Sequence, residues 1–213
     1  MSIEMPKIAS TLLVLTGLIA WNIPAAWAAG GPLGIDHRLN YDNSGIWKRS
    51  YQLDLETGAI AAVVAGSLWE GGDTRLGRTF WQSLDSLALS SITAQGLKLA
   101  FSRERPAQTD DPNAFFKGHG NESFPSGEVT VIASAVTPFV LEYGPEHPAV
   151  YGLEALVAYD MVARLKVQGH WQSDVLAGAA IGTAFGYYAH GREQPLILGY
   201  MPHGIFIGLK EQF

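Results

Sequence analysis

Apolar residues recur three and four positions apart along most of this chain, and the pattern divides it into five long segments. They cover residues 55–70, 78–102, 126–143, 149–167 and 173–192, and their period is that of helices. Breakers separate them: Gly71-Gly72-Asp73, a long loop bounded by Pro106 and Pro125, Gly144-Pro145, and Gly169. Several segments are apolar around most of their surface, which means burial in a bundle or in lipid. Charges decide between the two. Asp85 and Lys98 interrupt the second segment, Glu154, Asp160 and Arg164 interrupt the fourth, and the uncharged run 59–69 is short. A packed bundle is therefore favoured over a set of membrane spans. The spacing predicts an all-α helical body over residues 55–192.

The flanks have a different texture. Residues 29–54 are polar and rich in Gly, Pro, Asp and Asn, and read as an extended arm. Before the arm, Lys7 precedes an apolar run, 8–23, and Ala26-Trp27-Ala28 has the small-x-small form of a cleavage site. Residues 1–28 thus read as a signal peptide that sends the chain to the periplasm or outside the cell. The alternative is an uncleaved membrane helix with the site facing outward, since 8–29 is long enough to span. After the body, residues 193–213 read as a short β-hairpin tail. In it, Leu196-Ile197-Leu198 and Ile205-Phe206-Ile207 flank Met201-Pro202-His203-Gly204.

A chain of 213 residues with 47% hydrophobic and 16% charged residues supports one domain with a substantial core and excludes disorder. The net charge of −6 argues against nucleic acid as a partner. The absence of cysteine removes disulfides, thiolate metal sites and cysteine nucleophiles together. Against the acidic background, Lys98, Arg103 and Arg105 cluster with only Glu104 opposing them, the mark of a specific anion site.

Three clusters carry candidate chemistry. Lys98 and Arg105 lie two helical turns apart at the end of a long helix, and Pro106 stops that helix. A basic helix end answering the macrodipole is the plainer reading of this pair alone. Ser126 and Gly127 open a helix whose free N–H groups suit an anion, with glycine allowing close approach. Arg164, His170 and Asp174 follow at a helix-to-helix junction. There a carboxylate one turn on can hold one imidazole nitrogen and leave the other as a lone pair, while arginine offers a forked donor. A surface ion pair with a capping carboxylate is the alternative for this third cluster. Together the clusters suit an oxyanion pocket with a histidine nucleophile.

In this order and spacing the motifs K-x6-R-P, P-S-G and R-x5-H-x3-D resemble those of the type 2 phosphatidic acid phosphatase superfamily, which includes class A acid phosphatases and vanadium haloperoxidases. The resemblance covers about residues 55–192 and implies a helical bundle of that type. It implies that Lys98, Arg105, Ser126, Gly127 and Arg164 hold a phosphoryl group, that His170 attacks phosphorus to form a phosphohistidine, and that Asp174 orients His170. No cofactor or metal is implied. The implied substrates are phosphomonoesters or diphosphates, those of lipids included, with a membrane surface as partner. Ala163 and Glu128 depart from the pattern, which has serine and histidine there. Glu128 stands where the family keeps its general acid, so Glu128 itself, if protonated, or His119 in the preceding loop is the candidate acid. The alternatives are a phosphate- or headgroup-binding relative that has lost turnover through Glu128, and a vanadium haloperoxidase.

Overall fold

The computed structural model describes residues 30–200, with side chains to residue 198. The expected leader and the second half of the expected hairpin lie outside the described residues. Within them the chain forms six α-helices: α1 (Arg49–Glu70), α2 (Arg75–Phe101), α3 (Gly127–Tyr143), α4 (Glu154–Lys166), α5 (Gln172–His190) and the short α6 (Leu196–Tyr200). Among the described residues no strand forms, only a single antiparallel bridge between Gly30 and Asp36.

Helix α3 is the axis of the bundle and packs against α1, α2, α4 and α5. Its sequence is apolar on every side, and all residues from Val129 to Pro138 are buried, as such a helix requires. The main core joins Val129, Ile132 and Val136 of α3 to Val157, Met161 and Leu165 of α4 and Val175 of α5. Helix α5 comes closest to α3, along Gly178, Gly182 and Gly186. A Cβ at these positions would lie 2.5 Å from the Ser126 carbonyl oxygen, 2.4 Å from the Thr130 carbonyl oxygen and 2.4 Å from Thr137 Cβ. The backbones therefore touch directly, and α3 and α5 run parallel. Lys98 at the end of α2 lies beside Gly127 at the start of α3, and Arg164 near the end of α4 lies beside Glu128, so α2 and α4 run the other way. The starts of α1, α3 and α5 and the ends of α2 and α4 meet at one end of the bundle.

Three expectations change. The extended arm ends at Lys48, because α1 begins at Arg49, six residues earlier than the apolar period indicates. Asn43 Oδ1 accepts the Arg49 amide at 2.6 Å and so supplies a cap from a distance in sequence. The fourth segment opens as a 3-10 turn, Pro148–Leu153, before α4 proper. In the tail, residues 196–198 are helical and not a strand. The buried Asp85 carboxylate accepts the amides of Leu196 at 2.5 Å and Ile197 at 2.9 Å, which is how a helix start is satisfied. Among the described residues no helix is long and apolar enough to cross a membrane.

Candidate active site

His170 sits in the short link between α4 and α5, 3% exposed. Its Nδ1 lies 2.7 Å from the carbonyl oxygen of Ser123. A carbonyl only accepts, so Nδ1 carries the proton and Nε2 carries the lone pair. Burial holds the imidazole well below its ordinary pKa, and the charges of Arg164, Lys98 and Arg105 press the same way. The ring is neutral at physiological pH, with its lone pair defined at Nε2.

Asp174 does not hydrogen-bond the ring; its Oδ2 is 3.8 Å from Nδ1. It acts one step further back. Oδ2 accepts the Ser123 hydroxyl at 2.6 Å and the Trp171 amide at 2.8 Å, and Oδ1 accepts Arg103 Nη1 at 2.5 Å. Asp174 thus fixes Ser123, whose carbonyl fixes His170. The orientation of the ring is indirect, through a residue that no motif marks.

Arg103 was grouped with the pocket cations by composition, but it is not one of them. Its side chain is wholly buried between Asp36 at 2.6 Å and Asp174 at 2.5 Å. It also donates to Ser173 Oγ at 2.8 Å and lies over the rings of Phe115 and Trp171. Asp36 in turn accepts the Ser173 amide at 2.7 Å and hydroxyl at 2.6 Å. Arg103 therefore ties the arm, the loop after α2 and the first turn of α5 together.

The remaining cations converge. Lys98 is buried, its Nζ donates to the Glu122 carbonyl at 2.7 Å, and its Cε lies 3.4 Å from where a Gly127 Cβ would be. Burial, helped by the Arg105 charge, lowers its pKa to about 8. Arg105 is half-exposed, and its guanidinium enters no ion pair among the described residues. Arg164 is buried; its Nη1 donates to Gln52 Oε1 at 2.9 Å and its Nε has no partner among the described residues. Gly169 leaves room for this side chain, since a Cβ there would lie 2.3 Å from Arg164 Nη2. The Ser126 hydroxyl is also buried without a partner. The Ser126 amide is taken by the Asp174 carbonyl at 3.0 Å, but the amides of Gly127, Glu128 and Val129 make no hydrogen bond among the described residues. Two orphaned buried donors and the open start of α3 thus surround a neutral imidazole, an arrangement that fits a bound oxyanion.

Glu128 is held by cations. Arg49 of α1 engages both its oxygens, Nη2 to Oε1 at 2.7 Å and Nη1 to Oε2, and Arg164 Nη1 lies 3.6 Å from Oε2. Burial pushes its pKa up, but hydrogen bonding to Arg49 and the Arg164 charge outweigh this, and the net shift is downward. It is a carboxylate, not an acid. His119 stands on an exposed loop tip between Gly118 and Gly120, both at positive φ, and its side chain makes no hydrogen bond or ion pair among the described residues.

Helix α1 contributes more than its sequence advertises. Arg49, Gln52 and Glu56 are spaced i, i+3, i+7 on one face, and the wholly buried Gln52 bridges Arg49 and Arg164 through its Oε1. That polar spacing is a signal available in the sequence, running from the polar arm into the start of the first apolar segment. One further group stands out: Asp160, one turn before Arg164, is fully buried with neither oxygen hydrogen-bonded among the described residues. Burial, with the Glu128 charge, raises its pKa to about 7. A cavity of about 460 Å³ lies beneath the arm, lined among others by His37, Tyr41, Asp110, Gln168 and Trp171. Neither His170 nor the pocket cations line it.

The family model of the PAP2 superfamily matches residues 79–195. A lipid A 1-phosphatase of Porphyromonas gingivalis is 29% identical over 120 residues, 55% of this chain and 24% of that protein. Lipid A 1-phosphatases of Rhizobium johnstonii and Rhizobium etli are each 33% identical over 105 residues, 47% of this chain and 42% and 44% of theirs. The matched part thus spans less than half the length of these relatives. No solved structure matches the chain.

Proposed function

This chain belongs to the PAP2 superfamily, and on that premise we propose that it is a phosphatase for lipid phosphates that works without a metal, through a phosphohistidine on His170. The observation that carries the reading is the pairing of a neutral, buried imidazole with unpartnered donors from Ser126 and Arg164. The Nε2 lone pair attacks phosphorus while Lys98, Arg105, Arg164 and the open amides of α3 take the charge that develops on the phosphoryl oxygens. Such preformed donors stabilise a trigonal-bipyramidal phosphoryl group better than a tetrahedral one, which is the requirement for catalysis.

Lipid as the carrier of the phosphate is supported by the relatives, which are lipid A 1-phosphatases, and by the surface of the bundle. Between Glu56 and Glu70, α1 has no charged residue, and Ile60, Val64, Leu68 and Trp69 on it are exposed, the last at 83%. Ile92 and Leu99 of α2 are exposed as well. An apolar surface of this kind suits contact with a bilayer that presents the substrate. The test is phosphate release from a lipid phosphate in mixed micelles with EDTA present. Release is expected to persist in EDTA, to stop with vanadate, and to exceed release from a water-soluble ester of the same phosphate. Binding of inorganic phosphate with no release from any ester would instead favour a headgroup-binding protein, the reading that the ion-paired Glu128 supports.

The titrations set a pH profile. His170 must be neutral to attack, and its depressed pKa puts the acid limb of kcat/KM below the ordinary histidine value of 6.5. Lys98 must be charged to hold the anion; with its pKa lowered to about 8 it is cationic below that value and loses its charge above it. We expect an alkaline limb near pH 8 that moves upward in Lys98→Arg. A limb that stays in place in that variant assigns it to another group.

A further inference from the structure

We propose that Glu128 serves this site only as a base, so that the enzyme acts on phosphates whose leaving group is stable as an anion, such as phosphoanhydrides and aryl phosphates, in preference to simple alkyl phosphomonoesters. The inference rests on the phosphatase reading above.

The geometry around Glu128 carries it. Both carboxylate oxygens accept from Arg49, and Arg164 stands 3.6 Å from one of them. Two guanidiniums beside it favour the ionised form, so the resting carboxylate holds no proton to give to a departing oxygen, while the lone pairs that Arg49 leaves open can still take one up in passing from water. The other titratable groups facing it are Glu56 on α1, Asp160 on α4 and His170 ahead of α5. Asp160 has no exposed surface and cannot meet a substrate. The His170 proton is engaged by the Ser123 carbonyl on the side away from Nε2. Lys98, across the site on α2, donates to the Glu122 carbonyl and supplies charge. The cluster is built to neutralise anions: Glu128 is ion-paired, Asp160 is sealed and the imidazole proton faces away. Glu56, half-buried with its pKa raised by burial, is the carboxyl that a Glu56→Gln control tests, with the leaving-group dependence expected to stay as in the wild type.

The steps then balance as follows. Nε2 of His170 forms the N–P bond as the bond from phosphorus to the leaving oxygen breaks. The electron pair stays on that oxygen, which departs as an anion and takes a proton from solvent. A water then attacks phosphorus, and the N–P bond breaks with its pair returned to Nε2. The proton lost by the water passes to the Glu128 carboxylate and on to solvent. A carboxylate fixed beside two guanidiniums suits this second half and not the first.

The experiment uses the whole protein and a graded set of phosphates: an alkyl diphosphate, 4-nitrophenyl phosphate, phenyl phosphate and a simple alkyl phosphate. We expect kcat/KM to fall by at least about 10²-fold from the diphosphate and nitrophenyl ester to the alkyl ester, the size of the missing proton delivery. In Glu128→Gln the dependence on leaving group stays as steep, while kcat drops and nitrophenol appears as a burst of one equivalent per site. A flat series in the wild type overturns the inference and leaves the phosphatase reading standing. So does a series that steepens in Glu128→Gln, because only loss of an acid penalises poor leaving groups selectively. No release from any of the four substrates overturns the phosphatase reading and this inference with it. The wild-type series decides alone if the variant does not fold.

Discussion

Replacement of His170 by alanine is expected to lower phosphate release by about 10³-fold or more, the scale on which loss of a covalent nucleophile is felt. The expectation follows from the single lone pair that the site defines: Nδ1 is committed to the Ser123 carbonyl at 2.7 Å, and Nε2 is the nitrogen left to attack. Inorganic phosphate should still bind to His170→Ala, since Lys98, Arg105, Arg164 and the α3 amides are untouched. A rapid quench of the wild type during turnover should trap label in an acid-labile, base-stable form, as expected for a P–N bond, and His170→Ala should trap none. Turnover by His170→Ala at the wild-type rate would sink the mechanism. Ser123 cannot be tested at its carbonyl, but Ser123→Ala removes the hydroxyl that Asp174 holds and so loosens the same support.

Arg103→Ala is expected to be the most destabilising single change in the protein, at about 3–5 kcal/mol, because it leaves two buried carboxylates facing each other without a cation. Asp36 and Asp174 both have 0% side-chain exposure and both depend on Arg103. For a chain of this size the loss should lower Tm by roughly 6–20 °C. Thermal unfolding followed by circular dichroism measures it, and a Tm within a few degrees of wild type would refute the assignment. Arg103→Lys should recover only part of the loss, since one ammonium cannot replace a fork that reaches Asp36, Asp174 and Ser173 together. Activity should fall with stability, because the same residue holds the first turn of α5, next to His170.

Much of this architecture is written in local pattern. Residues Val129 to Pro138 are buried on all sides because nothing polar enough to demand water stands among them, and that is visible without coordinates. The Lys98, Arg105 and Pro106 spacing, the opening of α3 at Ser126 and Gly127, and the interval from Arg164 to His170 point to a shared site through their resemblance, taken together, to the motifs of one superfamily. Other parts were not legible. The start of α1 at Arg49 depends on a cap from Asn43, six residues away, and no period announces it. Residues 196–198 have the composition of a strand, yet Asp85, more than a hundred positions earlier, captures their amides and makes a helix start. Charge clustering grouped Arg103 with Lys98 and Arg105, but composition cannot tell a cation that faces a pocket from one sealed between two carboxylates.

What the sequence by itself determined is the all-α body and the presence and order of the five long helices. These follow from periodicity, which is a property of the chain near each residue, whereas the candidate oxyanion residues were marked by resemblance to a family's motifs. Only the tertiary structure decided the protonation of Glu128 and the orientation of His170. The first depends on Arg49 arriving from α1 and Arg164 from α4, the second on Ser123 held by Asp174 across the start of α5. Protonation is set by the charges and hydrogen bonds that packing brings within a few ångströms, whatever their separation along the chain.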